Sequence, residues 1–355
     1  MRRFKEQFVE NGDDALVLNG RFLHLRCATH ILNLIVKEGL LEADNNISAI
    51  RNGICFVRSS TPRMNSFEKR VESRRLQRGS LPLDVETRWN STYLMLEQAL
   101  KFKVGFEKMA AEDKPYNDYF NETIQGTKRI GPPSKADWEA VNRLVQFLII
   151  FYSATLVLSA STSACSHKLY HAIVTVQRNI SALSNTPGPD AILRSKAASM
   201  LGKLGKYWDP FGEHKEMNKL VIVAGVFDPS KKMKVTTKLF EKLYGVGGVR
   251  VTQLTTEIED IVRSLFDEYN NNVKKRRDAA AGGSSTQAQG NSSQFQEQPG
   301  EEVSQNTVLG NGLAYESMND IYNELVQESG FQEKTDELDL YLKENVETRN
   351  LTAGS

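Results

Sequence analysis

Apolar and polar residues change their period twice within the first hundred positions. Phe22, His24 and Arg26 alternate with Leu23, Leu25 and Cys27, which predicts a short strand, and at Ile31, Leu34, Ile35 and Glu38 the repeat becomes helical. Residues 81–100, LPLDVETRWNSTYLMLEQAL, repeat that grammar. An extended piece held by Pro82 leads to a cap at Thr87 or Asp84, then to a helix with Trp89, Tyr93, Leu96 and Leu100 on one side. The expectation is two strand-to-helix joints on either side of a basic helical stretch.

After Asp113 the pattern loosens through KPYNDYFNETIQGTKRIGPPSK, until Pro132, Pro133 and Ser134 prepare a helix start. Trp138 to Leu158 then reads as a long apolar helix, with Val141, Leu144, Val145, Leu148, Ile149 and Tyr152 at core spacing. Further helices are predicted over 166–184, 190–207, 213–226, 232–244 and 251–270, separated by PGPD, WDPFG, FDPS and GVGG. Residues 278–306 are Gly, Ser, Gln and Glu with a single aromatic, too little apolar surface to offset the entropy of ordering. Beyond them, MNDIYNELV and KTDELDLYLKEN read as short amphipathic helices that need a surface to dock on.

Composition adds size and compartment. A chain of 355 residues, 40% hydrophobic and 25% charged, is long enough for two structural units plus linkers. No run approaches the apolar length of a membrane span, and MRRFKEQFVE has no apolar stretch behind its charges, so the expectation is an intracellular protein with no membrane contact. The cysteines Cys27, Cys55 and Cys165 are odd in number and far apart, which suits a reducing compartment.

Charge changes the picture more. The net +1 conceals a basic run from Arg51 to Gly79, eight cations against Glu68 and Glu72, or 8 − 2 = +6. From Leu309 to Asn350 ten acids face Lys334, Lys343 and Arg349, or 3 − 10 = −7. Such a split fits a polyanion-binding front and a solvated or partner-seeking rear.

The candidate chemistry is sparse. His24, Cys27 and His30 stand three apart, but a tetrahedral zinc needs a second pair. Cys55, His167, His171 and His214 do not supply one at finger spacing. The alternative is that Cys27 packs as a small hydrophobe at a strand-helix joint, with His30 on the first helical turn. His167 and His171 share a helix face without the Glu of a metalloprotease motif, and read as a surface or groove pair. There is no phosphate-binding glycine loop and no nucleophile signature, so neither metal nor cofactor is expected. The basic run, with Phe56 and Phe67 interleaved, either lies along phosphates or is a solvated face. Arg88 and Trp89 either grip and stack on an unpaired base, or Trp89 is core and Arg88 pairs with Asp84 or Glu86. KKRR at 274–277 has the form of a nuclear import signal.

RCATHILNLIVKEGL at 26–40, IRNGICFVRSSTPRMNSF at 50–67 and LPLDVETRWNSTYLMLEQAL at 81–100 resemble consecutive blocks of hAT-superfamily transposases, in particular the plant Ricesleeper and Daysleeper group. FYSATLVLSAS at 151–161 and KLGKYWDPFGEHKEMNKLVIVAGVFDPSKKMK at 203–234 are similar to the helical block that follows, and TDELDLYLKENVE at 335–347 to the entry of the dimerisation region. The resemblance implies a fold that is mainly α with a small α/β part, a partial RNase H-like core interrupted by a helical insertion. It places Cys27, His30 and Asn33 in the family's core motif, together with Thr87, and sets Thr87, Arg88 and Trp89 near DNA. Such transposases cut DNA with two aspartates and a glutamate that hold two divalent metals. The 26 residues before Cys27 contain no Asp-Asn block, and Asp13, Asp14 and Asp84 match no family ligand position. A BED zinc finger is not seen either, so the expectation is a chain truncated at both ends, with no metal site of its own.

These readings give a partial core at 1–100, a helical insertion at 101–270, a disordered linker at 271–308 and an acidic tail at 309–355. The expected function is DNA binding in the nucleus without cleavage, with Arg88 and Trp89 at the DNA end and Arg58, Arg63, Arg70, Arg74 and Arg75 on phosphates. The alternatives are a fragment that associates with itself or related transposase-like proteins through Tyr322, Leu325, Val326, Leu338, Leu340 and Leu342, a nuclease completed by another chain's carboxylates, and a decayed fragment.

Overall fold

The computed structural model describes residues 8, 16–40, 45–71, 81–85, 87–124, 126–159, 165–185, 191–212, 217–281, 338 and 341–342. They form helices with one short hairpin: α1 (Ala28–Leu40), α2 (Asn45–Arg58), α3 (Thr61–Glu68), α4 (Trp89–Lys101), α5 (Lys103–Glu112), α6 (Lys114–Asn121), β1 (Thr123–Ile124), β2 (Thr127–Lys128), α7 (Lys135–Leu158), α8 (Ser166–Asn185), α9 (Ala191–Trp208), α10 (Leu220–Val226), α11 (Lys232–Tyr244) and α12 (Val249–Ala281). The mainly α class read from the sequence is the observed one. The chain divides into two compact units, residues 26–221 and residues 1–25 with 222–355. The boundary near residue 100 drawn from the sequence falls inside the first of these.

The first unit is built round α7. α1, α2, α4 and α8 pack against it, and α9 lies on α1 and α8. Trp138, Phe147, Leu148 and Phe151 of α7 are at most 1% exposed. Its start was legible: Ser134 caps the helix in a full capping box with Asp137. By length and composition alone α7 would pass for a membrane span, contrary to the sequence expectation, yet it is the helix the others wrap. A Lys203–Glu38 ion pair of 2.8 Å ties α9 to α1.

Aromatic rings hold the 45–138 part together. Phe56 meets Tyr116 edge-on at 5.1 Å and Tyr119 at 5.2 Å, and Phe67, Phe106 and Trp138 follow one another at 4.6 and 5.7 Å. Each such pair contributes about 0.5–1.5 kcal/mol beyond burial. The loosened stretch after Asp113 holds α6 instead of a loop. The Asp113 carboxylate caps it by accepting from Tyr116 N at 3.0 Å and also accepts from Ser66 Oγ at 2.9 Å, joining α3 to α6.

In the second unit α11 packs on α12. Leu18 N donates to Glu268 Oε2 at 2.8 Å, fixing the turn at Val17–Gly20 to α12. α12 continues to Ala281, so the beginning of the expected linker, KKRR included, is helical; residues 282–308 lie outside the described residues. Of the tail, Leu338 is buried and Tyr341 Oη donates to Val226 O at 3.2 Å, with the Lys232 ammonium 5.0 Å above its ring. Leu342 is half-buried, and Tyr322, Leu325, Val326 and Leu340 lie outside the described residues.

Asp228 starts α11. Its backbone carbonyl accepts from Lys231 and Lys232, and its carboxylate from Ser230 Oγ at 2.7 Å, with Lys231 Nζ 3.1 Å away. Burial raises this carboxyl, but the Ser230 hydrogen bond and the Lys231 charge outweigh it and hold the group below the usual carboxylate range. A depressed folded-state value contributes stability above the unfolded value of about 3.9 and loses it as the pH falls through the folded one. Asp228→Asn is therefore expected to lower the urea midpoint at pH 7 and to narrow its gap from wild type as acid is added; a gap independent of pH would contradict the linkage.

Two strand expectations fail. Residues 22–27 are irregular, with Leu23 37% and Leu25 57% exposed, and 81–85 forms no strand. A strand is stable only when a neighbour takes its N–H and C=O groups, and among the described residues β1 and β2 alone form a ladder. The small α/β part thus reduces, in the described residues, to a two-residue hairpin.

Candidate nucleic-acid interface

The residues of the basic run fold as α2 and α3, and their arginines are tethered rather than loose. Arg51 donates through Nε to Asp84 Oδ2 at 2.8 Å, and Arg58 Nη1 to Leu81 O at 2.9 Å. Both bonds brace the 81–85 segment against α2. Arg63 lies over the Phe56 ring at 4.1 Å and donates to Ser59 Oγ at 2.7 Å. Arg70 turns away from that group: its Nη1 donates to Ser66 O at 2.9 Å, and Glu112 and Asp113 lie 3.5 Å from its guanidinium. Its charge is met within the chain, so it serves the α3–α5–α6 junction. Arg74 and Arg75 lie outside the described residues.

A residue the sequence did not single out joins the group. The hairpin carries Arg129, whose guanidinium lies 3.7 Å above the Tyr119 ring and donates to Tyr119 O, Tyr119 Oη and Glu122. Because Phe56 and Tyr119 are neighbouring rings, Arg63 and Arg129 sit on one aromatic platform. The basic doublet Lys128–Arg129 between Gly126 and Pro132 was the available signal, but only the fold shows that it returns to α2, where Asn52 Nδ2 donates to Ile130 O at 2.9 Å.

Cys55 stands amid these cations. It shares one helical stripe with Arg51 and Arg58, and its thiol is exposed. Partial burial raises the thiol, while Arg51, Arg129 and Arg58 pull it down. Tyr119 is raised by burial too, with Arg129, Cys55, Glu122 and Arg63 all acting on it. Four guanidinium groups and two carboxylates, Asp84 and Glu122, therefore share one patch.

The second sequence site divides. Trp89 is 5% exposed and belongs to the core with Tyr93 and Leu96, so as folded it offers no face to a base. Arg88 is exposed at the head of α4 without a side-chain capping bond, and Thr87 is exposed beside it. Neither Thr87 nor Asp84 caps α4: the Asp84 side chain, 1% exposed, accepts instead from Arg51 and from Thr92 Oγ1 at 2.9 Å. That also displaces the expected Arg88–Asp84 pairing.

Cys27 does not pack as a hydrophobe. It is exposed, with its Sγ 3.1 Å from Thr29 Oγ1, and that hydrogen bond, with one involving the His30 backbone, lowers the thiol below its usual value. His30 is exposed and Asn33 half-buried on α1. Of the helical pair, His167 is half-buried but His171 is 3% exposed, a core position rather than a surface one. Among the described residues no three of His, Cys, Asp and Glu come together as metal ligands. The family's two-metal chemistry does not fit the carboxylate at hand either, since both Asp84 oxygens already accept from Arg51 and Thr92.

Two family models match. Residues 25–147 match the ZBED1 RNase-like helical domain, and residues 167–269 the domain described as hAT-like transposase, RNase-H fold. The chain is 30% identical over 256 residues to each of two rice (Oryza sativa subsp. japonica) proteins, zinc finger BED domain-containing proteins RICESLEEPER 2 and RICESLEEPER 1, covering 72% of this chain and 32% of theirs. It is 28% identical over 189 residues to zinc finger BED domain-containing protein DAYSLEEPER of Arabidopsis thaliana, 53% of this chain and 24% of that protein. No solved structure matches. The chain spans about a third of the length of the rice relatives it matches. With both domains in order and these relatives in common, the chain belongs to the hAT transposase-like family.

Proposed function

We propose that this transposase-derived chain is a nuclear DNA-binding protein that holds no catalytic metal pair of its own. The observation that carries the reading is the convergence of Arg51, Arg58, Arg63 and Arg129 from α2, α3 and the hairpin on one patch, where Asp84 and Glu122 are the acids paired with them among the described residues. Positive charge fixed on one face displaces counterions from a polyanion, which is the main source of sequence-independent affinity. The BED zinc finger in the names of its relatives supports the same direction. Arg88, exposed at the head of α4, is the candidate for contact at a DNA end, and KKRR on α12 the candidate import signal. Copies of this chain and related transposase-like proteins are the proposed protein partners.

The test is fluorescence anisotropy of the full chain with duplex and hairpin-ended DNA across a salt series. Binding is expected, with log affinity falling by about 0.9 per phosphate contact for each unit of log salt. Arg88→Ala should weaken the hairpin-ended DNA more than the plain duplex. Absence of binding at low salt would end the reading.

A further inference from the structure

The geometry points to the patch around Cys55 as a grip for the sugar-phosphate backbone alone, in which Arg58 and Arg63 hold phosphate oxygens while Arg51 and Arg129 brace it, with no base read. This rests on the DNA-binding reading for its natural ligand, though the phosphate chemistry stands on the site itself. Arg58 commits one of its five N–H donors to Leu81 O and Arg63 one to Ser59 Oγ, so most of each fork remains for an acceptor. Arg51 and Arg129, by contrast, are matched by Asp84 and Glu122. Among the described residues, the charge without a carboxylate partner is thus that of Arg58 and Arg63.

The aromatic rings argue against bases. A base stacks on an open ring face, and here Arg63 covers Phe56, itself 1% exposed, while Arg129 covers Tyr119. The rings serve instead to hold guanidinium planes in place before a ligand arrives, which limits the side-chain entropy lost on binding. The hydrogen bonds to Ser59 and Leu81 do the same at the other end of each fork. Held cations over covered rings suit a repeating phosphodiester.

Cys55 lies among the arginines and makes the site readable without a substitution. The experiment is alkylation of the native full chain by iodoacetamide, with each cysteine followed by peptide mass spectrometry. Without DNA, Cys27, whose thiol is lowered by Thr29, should react faster than Cys55. With a short duplex at ten times its Kd about one protein in eleven is free, so Cys55 should react about tenfold more slowly. Cys27, whose shift involves Thr29 and His30 and no arginine, should keep its rate. Inorganic polyphosphate, which has no bases, should protect Cys55 as the duplex does. The Arg58→Ala, Arg63→Ala double variant, checked for native circular dichroism, should lower the salt slope by about 1.8, twice the value for one contact.

Duplex that binds by anisotropy yet leaves Cys55 unprotected would overturn the grip and leave DNA binding standing. Protection by polyphosphate without any duplex binding would keep the grip and remove DNA as its ligand. Protection by duplex but not by polyphosphate would overturn the phosphate-only reading.

Discussion

Gly131→Ala is expected to lower the unfolding free energy by about 3 kcal/mol or more, measured by urea denaturation, because two penalties coincide. Gly131 has φ +118°, a conformation that a Cβ disfavours, at a cost of about 1–3 kcal/mol. A Cβ there would also stand 2.3 Å from Phe120 Cε1 and 2.8 Å from its Cδ1, well inside contact distance. Phe120 cannot yield, since it is 1% exposed and packed edge-on against Tyr116 at 5.0 Å and Tyr119 at 5.3 Å. Forcing that ring aside costs about 1–3 kcal/mol more, as overpacking does. Gly126 supplies the control. Its φ of +81° carries the backbone penalty, but nothing lies within 4 Å of a Cβ, so Gly126→Ala should cost about 1–2 kcal/mol. Equal losses at the two glycines would mean that packing against Phe120 is not what fixes position 131. Because Tyr119 carries Arg129, the Gly131 variant should also blunt the protection of Cys55 by DNA.

What the sequence made legible follows from how local each cause is. α8, α9 and α11 lie within a residue or two of the spans read from apolar periodicity, since a helix's hydrogen bonds close within four residues and its buried stripe is written in its own sequence. The Ser134 capping box is local too. Strands are not: residues 22–27 have the alternation of a strand, but alternation describes two faces and cannot say whether a partner exists. α6 was missed because KPYNDYFN carries Pro115 and two Asn, although Asp113 at the cap and Pro115 in the first turn mark a helix start.

The site was half legible for the same reason. Charge count located α2 and α3, but not which arginines face out. Arg63 and Arg70 are seven residues apart on one basic run, yet Arg63 sits on Phe56 of the same run while Arg70 meets Glu112 and Asp113, which come from elsewhere in the chain. Arg129 stands in a basic doublet, but nothing local ties that doublet to a run that ends fifty residues before it. Trp89 shows the reverse case. The Arg-Trp pair reads as a stacking device in isolation, but a helix whose inward stripe begins at Trp89 and continues through Tyr93 and Leu96 buries that ring.

Asp84→Ala is expected to destabilise the fold by about 2–3 kcal/mol while strengthening DNA binding, and the opposite signs are its diagnostic feature. The carboxylate is 1% exposed and accepts from both Arg51 and Thr92, so its removal takes that acceptor from two donors and loosens the 81–85 segment, which Arg58 and Ser91 still hold to α2 and α4. Removing one member of a fully buried pair costs about 3–5 kcal/mol, but Arg51 is 26% exposed and water takes up part of its charge, hence the smaller figure. The same loss removes the Asp84 counter-charge from beside Arg51 and raises the net positive charge of the proposed phosphate grip, so the salt slope should steepen by up to about 0.9, the value for one contact. Arg51→Ala should destabilise less, since it leaves a carboxylate that still accepts from Thr92, and should weaken DNA binding. The double variant should recover part of the stability lost by Asp84→Ala alone, with a coupling of about 0.5–3 kcal/mol. If Asp84→Ala instead lowered DNA affinity at a matched folded fraction, Asp84 would be positioning Arg51 for the nucleic acid, and its assignment as a counter-charge that holds Arg51 back would fall.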